Sequence, residues 1–167
     1  MSKFKIAVIQ VDTQDSKKEN LEKLGRFIDE AADNGAKMVA MPENIHYIGT
    51  KEGTFASAEP IPGPMSEFFC SKAKEHGLWL NCGSIGEVIP NEQKLYNTSL
   101  LINPAGEIAA RYEKIHLYDV DIKNGPSTKE SDTKKAGTNI VVCDTDFCKV
   151  GLSICYDMRF PELYRIM

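Results

Sequence analysis

Two apolar runs separated by an amphipathic segment constrain the fold of this chain most strongly. Residues 5–11 and 37–41 have the apolar character of buried strands. Between them, Ser16 and Glu19 have the spacing of a helix capping box, apolar residues follow at helical intervals, and Gly35 predicts the end of the helix. A strand, a helix and a strand in this order predict a β-α-β unit. In such sheets, ligand-binding groups gather just beyond the carboxyl ends of the strands.

The rest of the chain predicts one more complete helix and several more strands. Residues 64–76 predict a helix that begins at a proline, and Gly77 closes it. The further strands are predicted at residues 78–83, 85–89, 97–102, 107–112, 140–145 and 149–154. Residues 161–167 predict the start of another helix. Residues 46–64 and 119–139 are predicted to be irregular, and the first of these segments is a candidate lid over a site.

The composition is typical of a soluble globular protein with a single domain, residues 1–167. Of the 167 residues, 42% are hydrophobic and 26% are charged, and the formal net charge is -4. This acidic balance, without a basic cluster, argues against nucleic acids and anionic membrane surfaces as partners. No apolar run is long enough to span a bilayer, and the N-terminus leads into a strand pattern without a cleavage site. The sequence therefore predicts a cytoplasmic protein.

The cysteines and histidines do not form a recognisable disulfide or metal pattern. The cysteines are Cys70, Cys82, Cys143, Cys148 and Cys155. Their number is odd, none of them forms a C-x-x-C pair, and the three histidines do not cluster with them. The sequence therefore predicts reduced thiols and no zinc site. Two of these thiols, Cys143 and Cys148, are predicted to pack in neighbouring strands.

Residues 151–163 place one cysteine where a nucleophile would lie. Leu152 and Ile154 predict the end of a buried strand, and Pro161 predicts the first turn of a helix. Cys155 lies at the turn between them, where the positive end of the following helix would lower the pKa of its thiol. The alternative is that Cys155 is an ordinary buried thiol, because free cysteine is among the most buried residue types.

An acid and an amine also occupy positions where a site could form. Glu43 directly follows Pro42 at the end of the second predicted strand. The strands predicted at 97–102 and 107–112 are joined by the turn sequence Asn-Pro-Ala-Gly at 103–106 and predict a β-hairpin, and Lys114 follows its second strand. Each of them has an ordinary alternative. Glu43 could be a solvated loop acid or a helix cap, and a lysine in the position of Lys114 is usually a surface residue. Taken one at a time, these residues do not decide the function.

Taken together, three motifs resemble the nitrilase, or carbon–nitrogen hydrolase, superfamily. In chain order they are M-P-E-N at 41–44, Y-E-K-I-H-L-Y-D at 112–119 and G-L-S-I-C-Y-D-M-R-F-P-E-L at 151–163. The similarity runs from the first strand to the last residue. I-H-L-Y-D-V-D-I at 115–122 and G-P-S-T-K-E-S at 125–131 make the chain look most like the Nit branch. Members of that branch include amidases of deaminated glutathione and of 2-oxo acid amides.

This resemblance implies a fold and a set of site residues. The implied fold is an α/β fold, an αββα sandwich that usually forms homodimers and is incomplete at the C-terminus of this chain, because family members continue through further strands and helices. The implied catalytic triad is Glu43, Lys114 and Cys155. Glu130 is similar in placement to a second acid that supports the lysine. The implied chemistry requires neither a metal nor an organic cofactor.

Amide hydrolysis gives each of these residues a role. Glu43 would take the proton of Cys155 and deliver it to the leaving ammonia. Lys114 and the backbone N–H of Tyr156 would hold the oxyanion. A water activated by Glu43 would then cleave the thioester to a carboxylic acid. Tyr118 is a further candidate for substrate binding, and the predicted substrate is a small amide that carries a carboxylate.

Several alternatives remain open from the sequence. His116 could pair with a cysteine as in papain-like enzymes, although its apolar neighbours suit a structural histidine. Arg159 and Glu162 could contact the substrate, but their position at the start of a helix favours a pair with each other or across a subunit interface. Because the chain ends at Met167, where family members continue, it could also be a fragment or a paralogue that binds without catalysing. A nitrile or an N-carbamoyl compound is an alternative substrate.

Overall fold

The structure is a computed structural model that describes residues 3–123, 125 and 127–167. Pro126, which belongs to the G-P-S-T-K-E-S segment at 125–131, lies outside the described residues, as do Met1, Ser2 and Asn124. Among the helices in the described ranges, none combines the length and the hydropathy that crossing a bilayer requires.

The described chain alternates short strands with helices. The α-helices are α1 (Lys17–Asp33), α2 (Lys51–Ser57), α3 (Pro64–His76) and α4 (Pro161–Ile166). The strands are β1 (Ile6–Val8), β2 (Met38–Ala40), β3 (Trp79–Asn81), β4 (Ile85–Val88), β5 (Leu95–Ile102), β6 (Ile108–Glu113), β7 (Asp119–Asp121), β8 (Ser127–Lys129), β9 (Val142–Asp144) and β10 (Lys149–Gly151). Two 3-10 helices span Glu130–Asp132 and Cys155–Arg159.

The two longest helices begin and end where the sequence predicts. At the start of α1, the Ser16 hydroxyl accepts a hydrogen bond of 3.4 Å from the Glu19 N–H. Helix α3 begins at Pro64, and Gly77 ends it in the left-handed conformation with φ of 61°. These caps confirm the two predicted helices. The helices were predictable because caps and apolar stripes involve only a few neighbouring residues.

The main sheet contains six strands and confirms the predicted β-α-β unit. Its order is β1-β2-β3-β5-β4, and β6 pairs with the other edge of β5. Strands β1, β2 and β3 run parallel, whereas β5 runs antiparallel to β3, β4 and β6. The carboxyl ends of the three parallel strands therefore lie at one edge of the sheet, which is where ligand groups gather in such sheets.

Apolar side chains cover both faces of this sheet. On one face, Leu24 and Ile28 of α1 pack with Phe69 of α3 and with residues of the strands, and all three side chains are fully buried. On the other face, a second cluster joins Trp79 of β3 to Leu152, which follows the β9–β10 pair. Helices, sheet and the β9–β10 pair thus form three successive layers.

The prediction of an irregular segment at 46–64 is wrong in part, because α2 lies within it. Thr50 caps this helix by accepting a hydrogen bond of 3.1 Å from the Gly53 N–H. Gly53 is required there, because a β-carbon at that position would lie 1.9 Å from the Tyr47 hydroxyl oxygen. The glycines in this segment permit close packing, and they made a short helix look like a loop.

The prediction of a long loop at 119–139 is also wrong in part. Strands β7 and β8 pair as an antiparallel hairpin with Val120 opposite Thr128, and the 3-10 helix Glu130–Asp132 follows. Most side chains of the hairpin are exposed. Because apolar periodicity arises only where one face of a strand is buried, the sequence carries no strand pattern here.

Two predictions of burial fail. Ile6 and Val8 of β1 are 46% and 82% exposed, because β1 is the edge strand and the β9–β10 layer covers the sheet around Trp79 instead. Cys148 is exposed because it lies in the turn between β9 and β10, where its N–H and carbonyl bond the hydroxyl of Thr145. Cys143 is half-buried in β9 and packs against the second cluster.

Candidate active site

Three chain segments bring the predicted triad to the same cavity. Glu43 follows β2, and Asn44 turns the chain there with φ of 52°. Lys114 directly follows β6, and its N–H donates a hydrogen bond of 2.9 Å to the Asn97 carbonyl. Cys155 begins the 3-10 helix after β10 with φ of 46°, in a region that residues other than glycine and asparagine rarely adopt. Glu43, Lys114 and Cys155 all line one cavity.

The Lys114 ammonium lies between two carboxylates. Its Nζ is 2.9 Å from Glu43 Oε1 and 2.8 Å from Glu130 Oε2, and its side chain is 2% exposed. Burial lowers the pKa of Lys114, but the hydrogen bonds with Glu130 and Glu43 together raise the pKa by more, so that it lies above its ordinary value. An ammonium has three N–H donors, and these two carboxylates occupy two of them. One donor remains for a ligand.

Asn97 joins the same two carboxylates from β5. Its Nδ2 donates hydrogen bonds of 2.8 Å to Glu43 Oε1 and 3.2 Å to Glu130 Oε1, and the residue is 1% exposed. A neutral amide can hold two acids in place without adding charge. Asn97 was not predicted as a site residue. The available signal was an amide in a predicted strand, because a polar group that a sheet buries requires a partner.

Glu130 and Tyr118 are connected through the backbone. The Tyr118 N–H donates a hydrogen bond of 2.7 Å to Glu130 Oε2, which is the oxygen that also contacts Lys114. The Tyr118 ring lines the cavity, is 41% exposed and meets the Tyr156 ring edge-on at 5.0 Å. Tyr156 is the second residue of the 3-10 helix, where a backbone N–H has no acceptor within the helix.

The Cys155 thiol is protonated at rest, contrary to the expectation from the sequence. Burial raises the pKa of Cys155, and the hydrogen bond and negative charge of Glu43 raise it further, while the positive charge of Lys114 lowers it only in part. The expected lowering of the pKa by a following helix is therefore outweighed. Glu43 lines the same cavity, and its negative charge acts on this thiol.

Asp157 fixes the nucleophile segment to the end of β6. Its carboxylate accepts hydrogen bonds from the Ile154 N–H at 2.8 Å, the Tyr112 hydroxyl at 2.6 Å and the His116 N–H at 3.0 Å. The residue is fully buried. Since Tyr112 and His116 flank Lys114, this carboxylate holds Cys155 and Lys114 in register. This role of Asp157 was not predicted from the sequence, although a carboxylate two residues from a candidate nucleophile was a usable signal.

His116 has structural partners. Its Nδ1 lies 2.7 Å from Asp157 Oδ1, and its ring stacks on Phe160 with centroids 3.7 Å apart. His116 does not line the cavity that contains Cys155. These contacts favour the structural interpretation over a papain-like pair. Arg159 and Glu162 do not form the predicted ion pair within the described chain.

The shared cavity has a volume of about 390 Å³ and an open mouth. Residues of the segment before α2 and of α2 itself, including Tyr47 and Thr54, form one wall, and Thr128 and Lys129 of β8 border it on another side. Residues 46–49 and 54 of the segment predicted as a candidate lid therefore border the cavity. The cavity has room for a small organic amide.

Two buried polar side chains that line this cavity each have one nitrogen atom without a partner among the described residues. Lys134 is 5% and His46 is 1% exposed, and neither Lys134 Nζ nor His46 Nδ1 has a hydrogen-bond partner among the described residues. Burial lowers the pKa of Lys134 to about 8, although Glu130 and Glu43 counteract this shift. Burial and the charges of Lys134 and Lys17 lower the pKa of His46 to about 3, so the ring is neutral. The sequence analysis assigned neither residue a role.

A group of metal-ligating side chains lies away from the cavity. Asp29, Glu75 and His76 approach within 4.8 Å of one another on the surface of α1 and α3. Lys72 Nζ lies 2.7 Å from Asp29 and 3.1 Å from Glu75, so an ammonium already balances these acids. This cluster is therefore an ion-pair network that joins the two helices.

A comparison with protein families decides the relationship that the motifs suggest. Residues 5–167 match the carbon–nitrogen hydrolase family. The chain belongs to the carbon–nitrogen hydrolase family. Among curated relatives of this family, the chain is 42% identical over 168 residues to "Omega-amidase NIT2-B" of Xenopus laevis and 40% identical over 166 residues to "Omega-amidase NIT2" of Homo sapiens. Each alignment covers 99% of this chain and 59% of the relative.

Solved structures of the family share the fold. The NitFhit protein of C. elegans superposes with a TM-score of 0.84 at 32% identity, over 95% of this chain and 39% of that one. Saccharomyces cerevisiae Nit3, a member of branch 10 of the nitrilase superfamily, gives a TM-score of 0.84 at 29% identity, over 98% of this chain and 59% of that one. The nitrilase-type α/β fold is therefore confirmed, and the chain spans part of the length of its relatives.

Proposed function

We propose that this protein hydrolyses the C–N bond of a small amide that carries a carboxylate, through a thioester on Cys155, and releases ammonia. The observation that carries the proposal is the Lys114 ammonium, buried between Glu43 and Glu130 in the cavity that Cys155 lines. The omega-amidase names of the relatives support an amide as the substrate. An amide carbonyl is a poor electrophile, so the reaction needs a nucleophile, a proton carrier and a fixed positive charge.

Glu43 acts as the general base in the first step. The hydrogen bonds from Lys114 and Asn97 both use Glu43 Oε1, so we assign proton transfer from the thiol to Oε2. Because the pKa of Cys155 is raised, the thiolate forms as Glu43 accepts the proton and sulfur attacks the carbonyl carbon. Glu43 then delivers this proton to the leaving nitrogen, and ammonia departs.

Lys114 stabilises the oxyanion that develops on the carbonyl oxygen. Its two ion pairs fix the ammonium before the substrate arrives, and its third N–H is the donor that we assign to the oxyanion. The backbone N–H of Tyr156 is the second donor in this proposal. Glu130 orients Lys114, and it keeps the site from carrying an uncompensated positive charge.

Water completes the cycle by cleaving the thioester. Glu43 is again unprotonated after ammonia has left. It takes a proton from a water molecule while the oxygen of that water attacks the thioester carbon. The C–S bond breaks, sulfur recovers the proton from Glu43, and a carboxylic acid leaves. The same two donors hold the oxyanion in this half of the reaction.

Ammonia release tests this proposal. The purified 167-residue protein is incubated with a 2-oxo acid amide, an N-carbamoyl compound and a nitrile, and ammonia is measured enzymatically. Deaminated glutathione is tested by the release of cysteinylglycine, because the nitrogen of its amide belongs to that dipeptide. We expect ammonia from the 2-oxo acid amide, which carries a carboxylate. We expect Cys155→Ala to release none and Glu43→Gln to be slower by at least about 100-fold, because the general base is lost.

Two results would contradict the proposal. Activity on the nitrile alone would replace the amidase assignment by a nitrilase assignment. A folded protein that hydrolyses none of the four compounds faster than Cys155→Ala does would favour the binding-only alternative. Circular dichroism of both proteins serves as the control for folding.

A further inference from the structure

Lys134 is a buried cation in the active-site cavity for which the proposed reaction has no use. Its side chain lines the cavity together with Lys114 and Cys155, and it is 5% exposed. Its Nζ has no hydrogen-bond partner among the described residues. Lysine is almost never fully buried unless it is paired, because removing an ammonium from water costs several kcal/mol. An unsatisfied cation in a ligand-sized cavity therefore requires an explanation.

The backbone around Lys134 is held firmly against β5. The Leu95 N–H donates to the Thr133 carbonyl at 3.0 Å, and the Lys135 N–H donates to the Leu95 carbonyl at 2.8 Å. The Lys134 N–H itself donates to the Glu130 carbonyl at 2.9 Å. These bonds on both sides of Lys134 direct its side chain inward. The burial of this ammonium is therefore a property of the fold.

The acids of the cavity are already engaged with Lys114. Glu43 Oε1 and Glu130 Oε2 contact Lys114 Nζ at 2.9 and 2.8 Å, and Asn97 donates to the same two residues. They attract Lys134 only through space. The charges of the two acids and two lysines sum to zero before a ligand binds, so a ligand anion would not face an excess of negative charge.

A second unsatisfied donor lies close to Lys134. A β-carbon on Gly86 would lie 3.2 Å from His46 Nε2 and 3.4 Å from Lys134 Nζ, so both side chains converge above this glycine. His46 Nε2 accepts a hydrogen bond of 3.3 Å from the Gly86 N–H, which places the proton of the neutral ring on Nδ1. Nδ1 has no partner among the described residues. This part of the cavity thus offers donors and lacks an acceptor.

We propose that Lys134 binds a carboxylate of the substrate and thereby selects amides that carry a negative charge remote from the reacting carbonyl. The inference rests on the proposed function and adds the residue that recognises the substrate. A carboxylate accepts several hydrogen bonds, and its negative charge would balance the positive charge of Lys134. Rotation about the flexible stem of Lys134 brings its Nζ from the cavity wall to the ligand.

Binding to a variant that cannot turn over tests this proposal. Isothermal titration calorimetry measures the dissociation constants of succinamate, which has a carboxylate, and of succinamide, which is neutral, for Cys155→Ala protein. We expect succinamate to bind at least about tenfold more tightly, and we expect the additional change Lys134→Met to remove this preference. Lys135→Met, next in the chain and paired with Glu92 outside the cavity, is the matched control and should retain the preference.

Three outcomes would overturn the proposal. The Cys155→Ala protein could bind succinamate no more tightly than succinamide, or it could bind neither compound. The preference could also persist unchanged in the Lys134→Met variant. Lys134→Arg provides a check on chemistry, because it keeps the positive charge and should retain part of the preference.

A pH titration of the Cys155→Ala protein tests the proposal without a change at position 134. The pKa of about 8 for Lys134 means that the ammonium loses its proton as pH rises above 8, whereas succinamate stays charged. The preference for succinamate should therefore shrink between about pH 7 and pH 9. The groups that act on Lys134 are Glu130, Glu43, Lys114 and the neutral ring of His46. A preference that is constant over this range would overturn the proposal.

These tests separate the inference from the proposed function. A protein that releases ammonia but shows no preference dependent on Lys134 contradicts the inference alone. A protein that binds succinamate through Lys134 but releases no ammonia contradicts the proposed function alone.

Discussion

Lys114 and Lys134 line the same cavity and are both almost completely buried, but their surroundings are opposite. Lys114 contacts two carboxylates, and its pKa lies above the ordinary value. Lys134 contacts none among the described residues, and burial lowers its pKa to about 8. Within one site, the fold supplies partners for one ammonium and leaves the other without them.

This difference separates two uses of a buried charge. In the proposed reaction, Lys114 is a catalytic cation that has to be in place beforehand, and Glu43, Glu130 and Asn97 hold it there. In the proposed recognition, Lys134 has to be available, because an internal partner would compete with the ligand. The proposal then implies that the unpartnered Lys134 lowers the stability of the free protein and that ligand binding restores it. Four predictions test this contrast, in order of decreasing effect.

The largest effect is expected from Lys114→Met. This change leaves the carboxylates of Glu43 and Glu130 close together without a cation, so it should lower the free energy of unfolding by about 3–5 kcal/mol and abolish ammonia release. Urea denaturation at neutral pH measures the change. The double variant Lys114→Met with Glu130→Gln removes one of the stranded charges and should recover part of the stability. Unchanged stability in the single variant would mean that Lys114 is not a buried ion pair.

Glu130→Gln should have a moderate effect. The amide keeps an acceptor for the Tyr118 N–H, but it replaces one of the two carboxylates that contact Lys114 by a neutral group. We therefore expect a loss of about 1–3 kcal/mol in the free energy of unfolding. Urea denaturation measures this loss. Glu22→Gln is the matched control, because Glu22 is exposed and lies 3.9 Å from Lys18 in a surface pair. Equal effects in the two variants would contradict the supporting role of Glu130.

Lys134→Met should change stability in the opposite direction. Methionine has a similar length and requires no counter-charge, so we expect the free energy of unfolding to rise by about 1–3 kcal/mol. Thermal or urea unfolding measures the gain. Lys135→Met, at a half-exposed position next in the chain, should change stability by less than about 0.5 kcal/mol. Destabilisation by Lys134→Met would show that Lys134 has a stabilising partner.

The smallest effect, when it is counted per pH unit, is the pH dependence of stability that is due to Lys134. The pKa of this residue is about 8 in the folded protein and has its ordinary value of 10.5 in the unfolded chain. Between these values the unfolded chain binds the proton that the folded chain has lost, so stability rises with pH by up to about 1.4 kcal/mol per unit. The difference between the parent and Lys134→Met in urea unfolding isolates this slope. Lys114 has the opposite effect on the pH dependence of stability. Because its pKa is raised in the folded protein, it stabilises the fold below pH 10.5, and this stabilisation is lost as pH rises further. An identical slope in the parent and the variant would contradict the assigned burial of Lys134.

Much of the fold could be predicted from the sequence because its signals are local. The capping box at Ser16, the start of α3 at Pro64 and the Asn-Pro-Ala-Gly turn before β6 each involve only a few neighbouring residues. Helix α2 was not predicted, because Gly49 before it and Gly53 within it indicate a loop, whereas in the structure both glycines pack against the Tyr47 ring. The β7–β8 hairpin was not predicted, because its side chains are mostly exposed and the sequence therefore shows no alternation of apolar and polar residues.

The site was predictable only where chemistry and motif coincide. Glu43, Lys114, Glu130 and Cys155 were found from motifs, and the structure brings them to one cavity. Lys134 was not found, because two successive lysines in a polar segment indicate a solvated surface. Its burial arises from hydrogen bonds between this segment and Leu95, which is distant in the sequence. The pKa direction of Cys155 was wrong for the same reason, since it depends on the distance to Glu43.

The most direct test of the catalytic assignment is the mass of the protein during turnover. The unmodified chain is mixed with succinamate, quenched in acid and analysed by intact mass spectrometry and peptide mapping. We expect a fraction of the protein to gain the mass of a succinyl group, with the added mass on Cys155 and absent from Cys155→Ala. Ammonia release without any such adduct, or with the adduct on another residue, would contradict the account.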